Sequence, residues 1–425
     1  MRKVHEKNTV RYYLILIAFL FCLFVTNDFD TLDVQKTAIV MAIGVDRQED
    51  TFILTSQIAV PQSSTQGQSS QTEQIVSRGK TIAEAFKEIN AKTGWYPKLV
   101  FCKLIILGEK TAQQNVFDAL DYFLLDEYLS DGCLVATCDG FAKDLLNTAA
   151  LVDPSSSVAM TKVLSSHAQR VGTVLPTSLR QFATTYFSES KSGFLPILKT
   201  EPQQEKIGEN GGTGSNENQN SGQNSQQNGS SGGGSSGSSS DGGSQSQNKQ
   251  GEQPTDKPVF SAQETALFVA GKRVGTLTKE ETFAYNAVKN ELRLAAYSVE
   301  HKDGTCTLSI KQNNSKRKLT VGKDGGANLQ INLTLTAGLL DNSFALPLDD
   351  ISDAGDVPGG VFTAAQKKLA GEIKTLFEKT KAVGCDLFSV RELLIKYEKR
   401  SLHRFQDTLL SNTTLAVDVS FKNVR

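Results

Sequence analysis

GKTIAEAFKEINAKTGWYPKLVFCKLIILGEK (Gly79–Lys110) places a helix beside a strand in 32 residues, and that pairing sets the fold class. Thr81-Ile82-Ala83-Glu84 has the spacing of a capping box, with Thr81 as N-cap and Glu84 reaching back. Ile82, Phe86 and Ile89 recur at helical spacing and give one apolar face. Gly94 supplies the stop, because glycine enters the left-handed region at no steric cost. Lys98–Leu107 is then a nearly continuous apolar run. It reads as a central strand covered on both faces, so the sheet around it needs helices on each side.

Outward from this unit the alternation continues. Thr37–Val45 and Thr51–Val60 read as a hairpin across the acidic turn DRQED, followed by a polar loop. QNVFDALDYFLLDEYL reads as a helix, CLVATC as a strand and GFAKDLLNTAAL as a helix. SSVAMTKVLSSHAQRVG and TSLRQFATTYFS look helical, and Phe194–Thr200 is strand-like. Glu264–Leu277 reads as a hairpin turning at Gly271-Lys272, and Thr278-x-x-Glu281 as a second capping box whose helix runs to about Asn290. From Gly211 to Gln250, 36 of 40 residues are Gly, Ser, Asn or Gln. That composition cannot bury enough apolar surface to offset ordering, so residues 201–257 read as a disordered loop between two strands of one sheet.

In the last third, Cys306, Leu308 and Ile310 alternate, as do Leu329, Ile331, Leu333 and Leu335 across a Lys323–Gly326 turn. Phe362, Ala365, Leu369, Ile373, Leu376 and Phe377 form the stripe of a long helix, with Gly384 past its end. Ser389-x-x-Glu392 is a third capping-box pattern, and Leu415, Val417, Val419 and Phe421 close the chain as a strand. The expected arrangement there is β-β-α-α-β on an antiparallel sheet. The fold class is therefore α+β or mixed α/β: three consecutive domains, each a β-sheet flanked by helices, behind an N-terminal membrane anchor. The expected divisions are 1–32 (tail and signal-anchor helix), 33–139, 140–290 with the loop inside it, and 291–425.

The anchor is read from the first 32 residues. Arg2, Lys3, Lys7 and Arg11 precede an uncharged stretch, Tyr12–Asn27, and Asp28, Asp30 and Asp33 follow it. The positive-inside rule puts the N-terminus in the cytoplasm and the remainder outside. Sixteen residues of helix reach about 24 Å against a hydrocarbon core of about 30 Å, short for a span. Tyr12, Leu14, Ile15, Leu16, Ile17, Phe19, Leu20, Phe21, Leu23, Phe24 and Val25 are the membrane-contacting residues. No small-residue cleavage pattern follows, and Cys22 lies inside the run behind Phe21, so it is a lipidation site only as the alternative to a retained helix.

Composition excludes more than it assigns. The chain has 45 basic and 46 acidic residues, which argues against nucleic acid as a partner. The six cysteines show no zinc spacing; Cys133 and Cys138 read as small buried thiols on opposite strand faces, with a disulfide as the alternative. His5, His167, His301 and His403 are scattered, and no GxSxG, GxxxxGK or HExxH occurs. Asp46, Glu49 and Asp50 read as a solvated hairpin tip, GKDGG (Gly322–Gly326) as a turn, and KQNNSKRKL as a solvated strand edge. No catalytic, cofactor-binding or metal-binding residue is assigned.

Gly79–Lys110 resembles the central signature of the Ger(x)C family, the C subunits of nutrient germinant receptors in endospore-forming bacteria. AIVMAIGVDRQEDTFILTSQIAVP resembles that family's first hairpin, and ETALFVAGKRVGTLTKEET the start of its C-terminal half. The resemblance implies three α/β domains, no enzymatic activity, no cofactor and an extracytoplasmic position on the spore inner membrane. It also implies two membrane-embedded partners, the A and B subunits. The family usually carries a lipid-bearing cysteine followed by Trp-Asp, where this chain has Asp28-Phe29-Asp30. It often has a histidine where Cys102 precedes Lys103. The alternatives are an extracytoplasmic solute-binding protein that captures the germinant, and a cell-envelope hydrolase.

Overall fold

The computed structural model describes residues 11–21, 37–59, 72–165, 172–202, 258–301, 304–322, 326–343, 357–397 and 408–424. Residues 11–21 form α1, an isolated helix with exposed side chains. In α2 (Ile82–Thr93) the Thr81 hydroxyl accepts the Glu84 N–H at 3.2 Å, and Gly94 ends the helix at φ 70°. Glu84 reaches back one residue further than expected, accepting the Lys80 N–H at 2.7 Å.

The apolar run after α2 is not one strand. β4 (Tyr96–Lys98) and β5 (Leu104–Leu107) are separated by a turn in which the Cys102 N–H donates to the Leu99 carbonyl at 2.9 Å. β5 is nevertheless central and fully buried. It lies parallel to β1 (Thr37–Gln48) on one side and β6 (Leu134–Cys138) on the other.

Around β5 the sheet grows to nine strands. β2 (Thr51–Ala59) and β3 (Thr72–Gly79) add antiparallel strands beyond β1. β7 (Ser192–Glu201), β8 (Val259–Val269) and β9 (Lys272–Leu277) complete the other end. The order is β3-β2-β1-β5-β6-β7-β8-β9, with β4 paired to β1. β6 and β7 pair in parallel, so strands from both sides of residue 139 share this sheet. β7 and β8 pair antiparallel and flank the polar insertion, of which residues 203–257 lie outside the described part. The β8–β9 turn centres on Ala270 and Gly271, both at positive φ, one residue earlier than the sequence suggests.

Alternating side chains cover both faces of the sheet. On one face pack α2, α3 (Glu109–Gln113), α4 (Phe117–Leu125) and α7 (Leu179–Tyr186), around Phe86, Phe117, Phe123 and Phe182. On the other pack α5 (Ala142–Asn147) and α6 (Ser156–Val163), around Leu146, Met160 and Leu164. Cys133 and Cys138 fall in these opposite cores, and all five described cysteines are buried and free. Ser178 and Gln181 build a capping box on α7 that the sequence reading did not anticipate.

The second sheet has four strands: β10 (Ala295–His301), β11 (Gly304–Val321), β12 (Ala327–Asn342) and β13 (Thr413–Asn423). It is mixed, not antiparallel, because β13 runs parallel to β12. The helices α9 (Gly359–Ala382) and α10 (Val390–Tyr397) form the crossover that a parallel return requires. Asp386, rather than Ser389, caps α10: its carboxylate accepts the Val390 and Arg391 N–H groups at 2.7 and 2.8 Å. Glu392 accepts instead from the Ser190 N–H.

Helix α8 (Lys279–Lys289) joins the two sheets. Thr278 and Glu281 close its capping box as expected, and Asn290 ends it in the left-handed conformation. Thr282 to Val288 are seven consecutive buried residues, so no side of the helix faces water over that stretch. Phe283, Tyr285 and Val288 share one core with Leu267 and Leu277 of the first sheet and Leu308, Leu333 and Leu369 of the second unit. Asn286 donates to the Gly172 and Val174 carbonyls at 2.8 and 3.0 Å, deep in that core. Asn286→Ala leaves two buried carbonyls without that donor and should cost about 2–4 kcal/mol, read as a lower urea midpoint.

Candidate functional site

The acidic turn of the first hairpin is not uniformly solvated. Asp46 is buried, with 2% of its surface exposed, while Glu49 and Asp50 sit at the exposed tip. The Asp46 carboxylate accepts the Ala142 and Lys143 N–H groups at 2.8 and 3.0 Å. It thereby serves as a remote cap for α5, whose own N-cap residue, Phe141, has no side-chain acceptor. Gly108 leaves room for it, since a Cβ there would stand 2.0 Å from Asp46 Oδ1. Burial raises its pKa, although the two backbone donors oppose the shift.

Asp386 repeats the device on the second unit. Its carboxylate caps α10, and its own N–H donates to Ser192 Oγ at 2.9 Å, tying the α9–α10 turn to β7. Burial pushes its pKa up to about 6, again against two backbone donors. Both carboxylates are therefore held by helix ends.

A surface cavity lies where α8, β10 and α9 meet. It is about 360 Å³ and is lined by Glu280, Phe283, Tyr297, Lys368 and Glu372 among others. Tyr297 donates its hydroxyl to Glu372 Oε2 at 3.0 Å and stacks on Phe283 at 4.9 Å between centroids. Lys368 Nζ donates to the Ser298 carbonyl at 2.9 Å and lies 5.1 Å from the Tyr297 ring centroid. Burial raises the pKa of Glu372, and the nearby Glu280 charge adds to the rise. The arrangement offers one aromatic wall and groups of both signs, enough to hold a small polar solute. Sequence reading did not single out these residues, because Tyr297 and Glu372 are 75 positions apart.

Of the residues assigned to the membrane anchor, Tyr12, Leu14, Ile15, Leu16, Ile17, Phe19, Leu20 and Phe21 lie on α1 and are exposed. Leu23, Phe24, Val25 and the alternative lipidation residue Cys22 lie outside the described residues. Among the described residues no helix is long and apolar enough to cross a membrane. His5, His167 and His403 are outside the described residues; His301 packs against Gly360 at the start of α9. Among the described residues no three His, Cys, Asp or Glu side chains converge on a metal position. Gly322 and Gly326 close the β11–β12 connection with a 2.8 Å backbone bond, so this glycine cluster joins two strands. Lys311–Leu319 belongs to β11 beyond the end of β10, and along it Asn313 and Arg317 donate to the Ala287 and Phe388 carbonyls.

Two family models divide the chain between them. The spore germination protein N-terminal domain matches residues 30–200, and the spore germination B3/GerAC-like C-terminal domain matches residues 263–425. The chain belongs to the Ger(x)C family. The match leaves out the polar insertion and breaks inside the β7–β8 pair that flanks it. Spore germination protein B3 of Bacillus subtilis (strain 168) is 29% identical over 135 residues, covering 30% of this chain and 35% of that protein. The aligned part is thus about a third of that relative's length. The crystal structure of the GerBC protein superposes over 90% of this Ger(x)C chain and 97% of its own, with a TM-score of 0.51 and 17% identity. At that identity the likeness concerns the fold.

The raised pKa of Asp386 makes stability depend on pH with a definite sign. A buried carboxyl whose folded pKa exceeds the unfolded value contributes stability below the unfolded pKa, near 4, and loses it as pH rises through about 6. The stability difference between the parent chain and Asp386→Asn should therefore shift against the parent between pH 4 and pH 7. Urea midpoints at the two pH values measure it; an unchanged difference contradicts the assignment.

Proposed function

We propose that this chain is a non-enzymatic, membrane-anchored, extracytoplasmic subunit of a nutrient germinant receptor, assembled with membrane-embedded A and B subunits at the spore inner membrane. The observation that carries the reading is the pair of family matches, which together take in both sheets and the helix between them. A structural role fits the use of the buried polar groups. Asp46 and Asp386 cap helices, and Asn286 and Tyr285 bridge packed segments. The exposed apolar α1, preceded by basic residues, supports attachment to a bilayer with the sheets outside.

A second reading, direct capture of the germinant, has one observation in its favour: the pocket formed by Phe283, Tyr297, Lys368 and Glu372. Thermal shifts separate the two, since a solute that binds the native state raises the melting temperature, increasingly so as its concentration exceeds its Kd. The subunit role predicts no shift with nutrient germinants. It also predicts that deleting the gene slows nutrient-triggered germination and leaves germination by other triggers intact. Normal nutrient germination in a strain with no paralogue would refute it.

A further inference from the structure

The chain has a single tryptophan, Trp95, and it is exposed. It opens a run in which Tyr96, Val100 and Phe101 are also exposed, Phe101 by 52%. Tyr128, 58% exposed, joins this patch through Lys98, whose Nζ lies 4.4 Å from the Tyr128 ring centroid. Leu125, at the end of the helix that leads into the Tyr128 turn, is 82% exposed. Single exposed apolar residues are ordinary, but these occupy two loops that touch.

Their place in the sheet gives the patch a direction. β1, β5 and β6 are parallel, so their N-terminal ends lie along one edge of the molecule. Residues 99–103 lead into β5 and residues 126–133 lead into β6. Tyr96 is the register partner of Thr37, the first residue of β1. The aromatic loops therefore surround the point where the chain enters the fold from its apolar N-terminal segment. Between Asn27, the last uncharged residue of that segment, and Thr37 there are nine residues, at most about 35 Å of chain.

We propose that the Trp95–Phe101 loop and Tyr128 sit in the headgroup layer of the membrane that holds the N-terminal segment, and so orient the first sheet on the bilayer. The inference rests on the membrane-anchored reading above. Tryptophan and tyrosine favour the headgroup level because each has an apolar body and a polar tip. Lys98 and Lys103 can extend past the rings toward phosphate. Asp126 and Glu127 on the facing turn offset those two charges, so the contact depends on rings rather than on attraction to anionic lipid.

Trp95 is its own reporter. The full chain is reconstituted into phosphatidylcholine vesicles with brominated acyl chains, and flotation and tryptophan emission are read on the same sample. Flotation with most of the emission lost to bromine, unchanged at high salt, is the expected result. In a Phe101→Ser/Tyr128→Ser chain flotation should persist and quenching should fall. Flotation with Trp95 unquenched by lipid and open to aqueous iodide overturns the docking while leaving the anchor intact. A chain that does not float overturns the anchor and the docking together. Protection of Trp95 only when partner membrane proteins are added assigns the patch to a protein and overturns the lipid contact.

Discussion

Everything in this architecture depends on one helix being buried on all sides. Thr282–Val288 of α8 lies between the nine-stranded sheet and the four-stranded unit, and a helix in that position must satisfy its polar side chains without water. It does so in three directions. Thr282 Oγ1 meets Thr265 Oγ1 of β8 at 3.2 Å. Tyr285 donates to the Leu387 carbonyl before α10 at 3.0 Å. Asn286 reaches the 172–174 segment. Lys379 of α9 adds an ion pair to Glu281 at 2.7 Å, at the capping box itself. Apolar packing alone would be indifferent to small rotations of one unit on the other. These directional bonds leave one arrangement in which all partners are met.

The same economy explains how buried titratable residues are used. Asp46 and Asp386 are buried carboxylates with raised pKa values, a combination common at catalytic sites. Here each accepts two backbone N–H groups at the start of a short helix. Cys138 and Cys385 are buried thiols whose pKa burial pushes up, the opposite of an activated nucleophile.

What was legible in the sequence was local. Thr81 with Gly94, and Thr278 with Glu281, mark helix ends through contacts only a few residues long, and they stand where expected. What was hidden was non-local. The alternation of Leu415, Val417 and Val419 is the same whether β13 runs parallel or antiparallel, so its direction could not be read. β3 was missed because TEQIVSRG is polar and only Ser77 and Gly79 are buried. The role of Asp46 depends on backbone donors 96 and 97 residues away. The pocket at Tyr297 needs residues from three elements. Asp386 displaced the expected Ser389 cap because its carboxylate reaches two N–H groups at once.

The polar insertion finds its tolerance in the same topology. Glu201 and Val259 are register partners, so the chain leaves and re-enters the sheet at adjacent points. Closing a longer loop between such points costs only about 0.6 kcal/mol per doubling of length, which the long β7–β8 pairing can absorb. β7 runs parallel to β6, and through it to β5 and β1. Its C-terminal end therefore lies at the edge of the sheet opposite the Trp95 and Tyr128 loops. The attachment points of the insertion, Glu201 and Val259, are thus remote from the end where the apolar segment enters. Growth at that point need not disturb that end, which is a physical reason for so large an insertion to occur between these two strands.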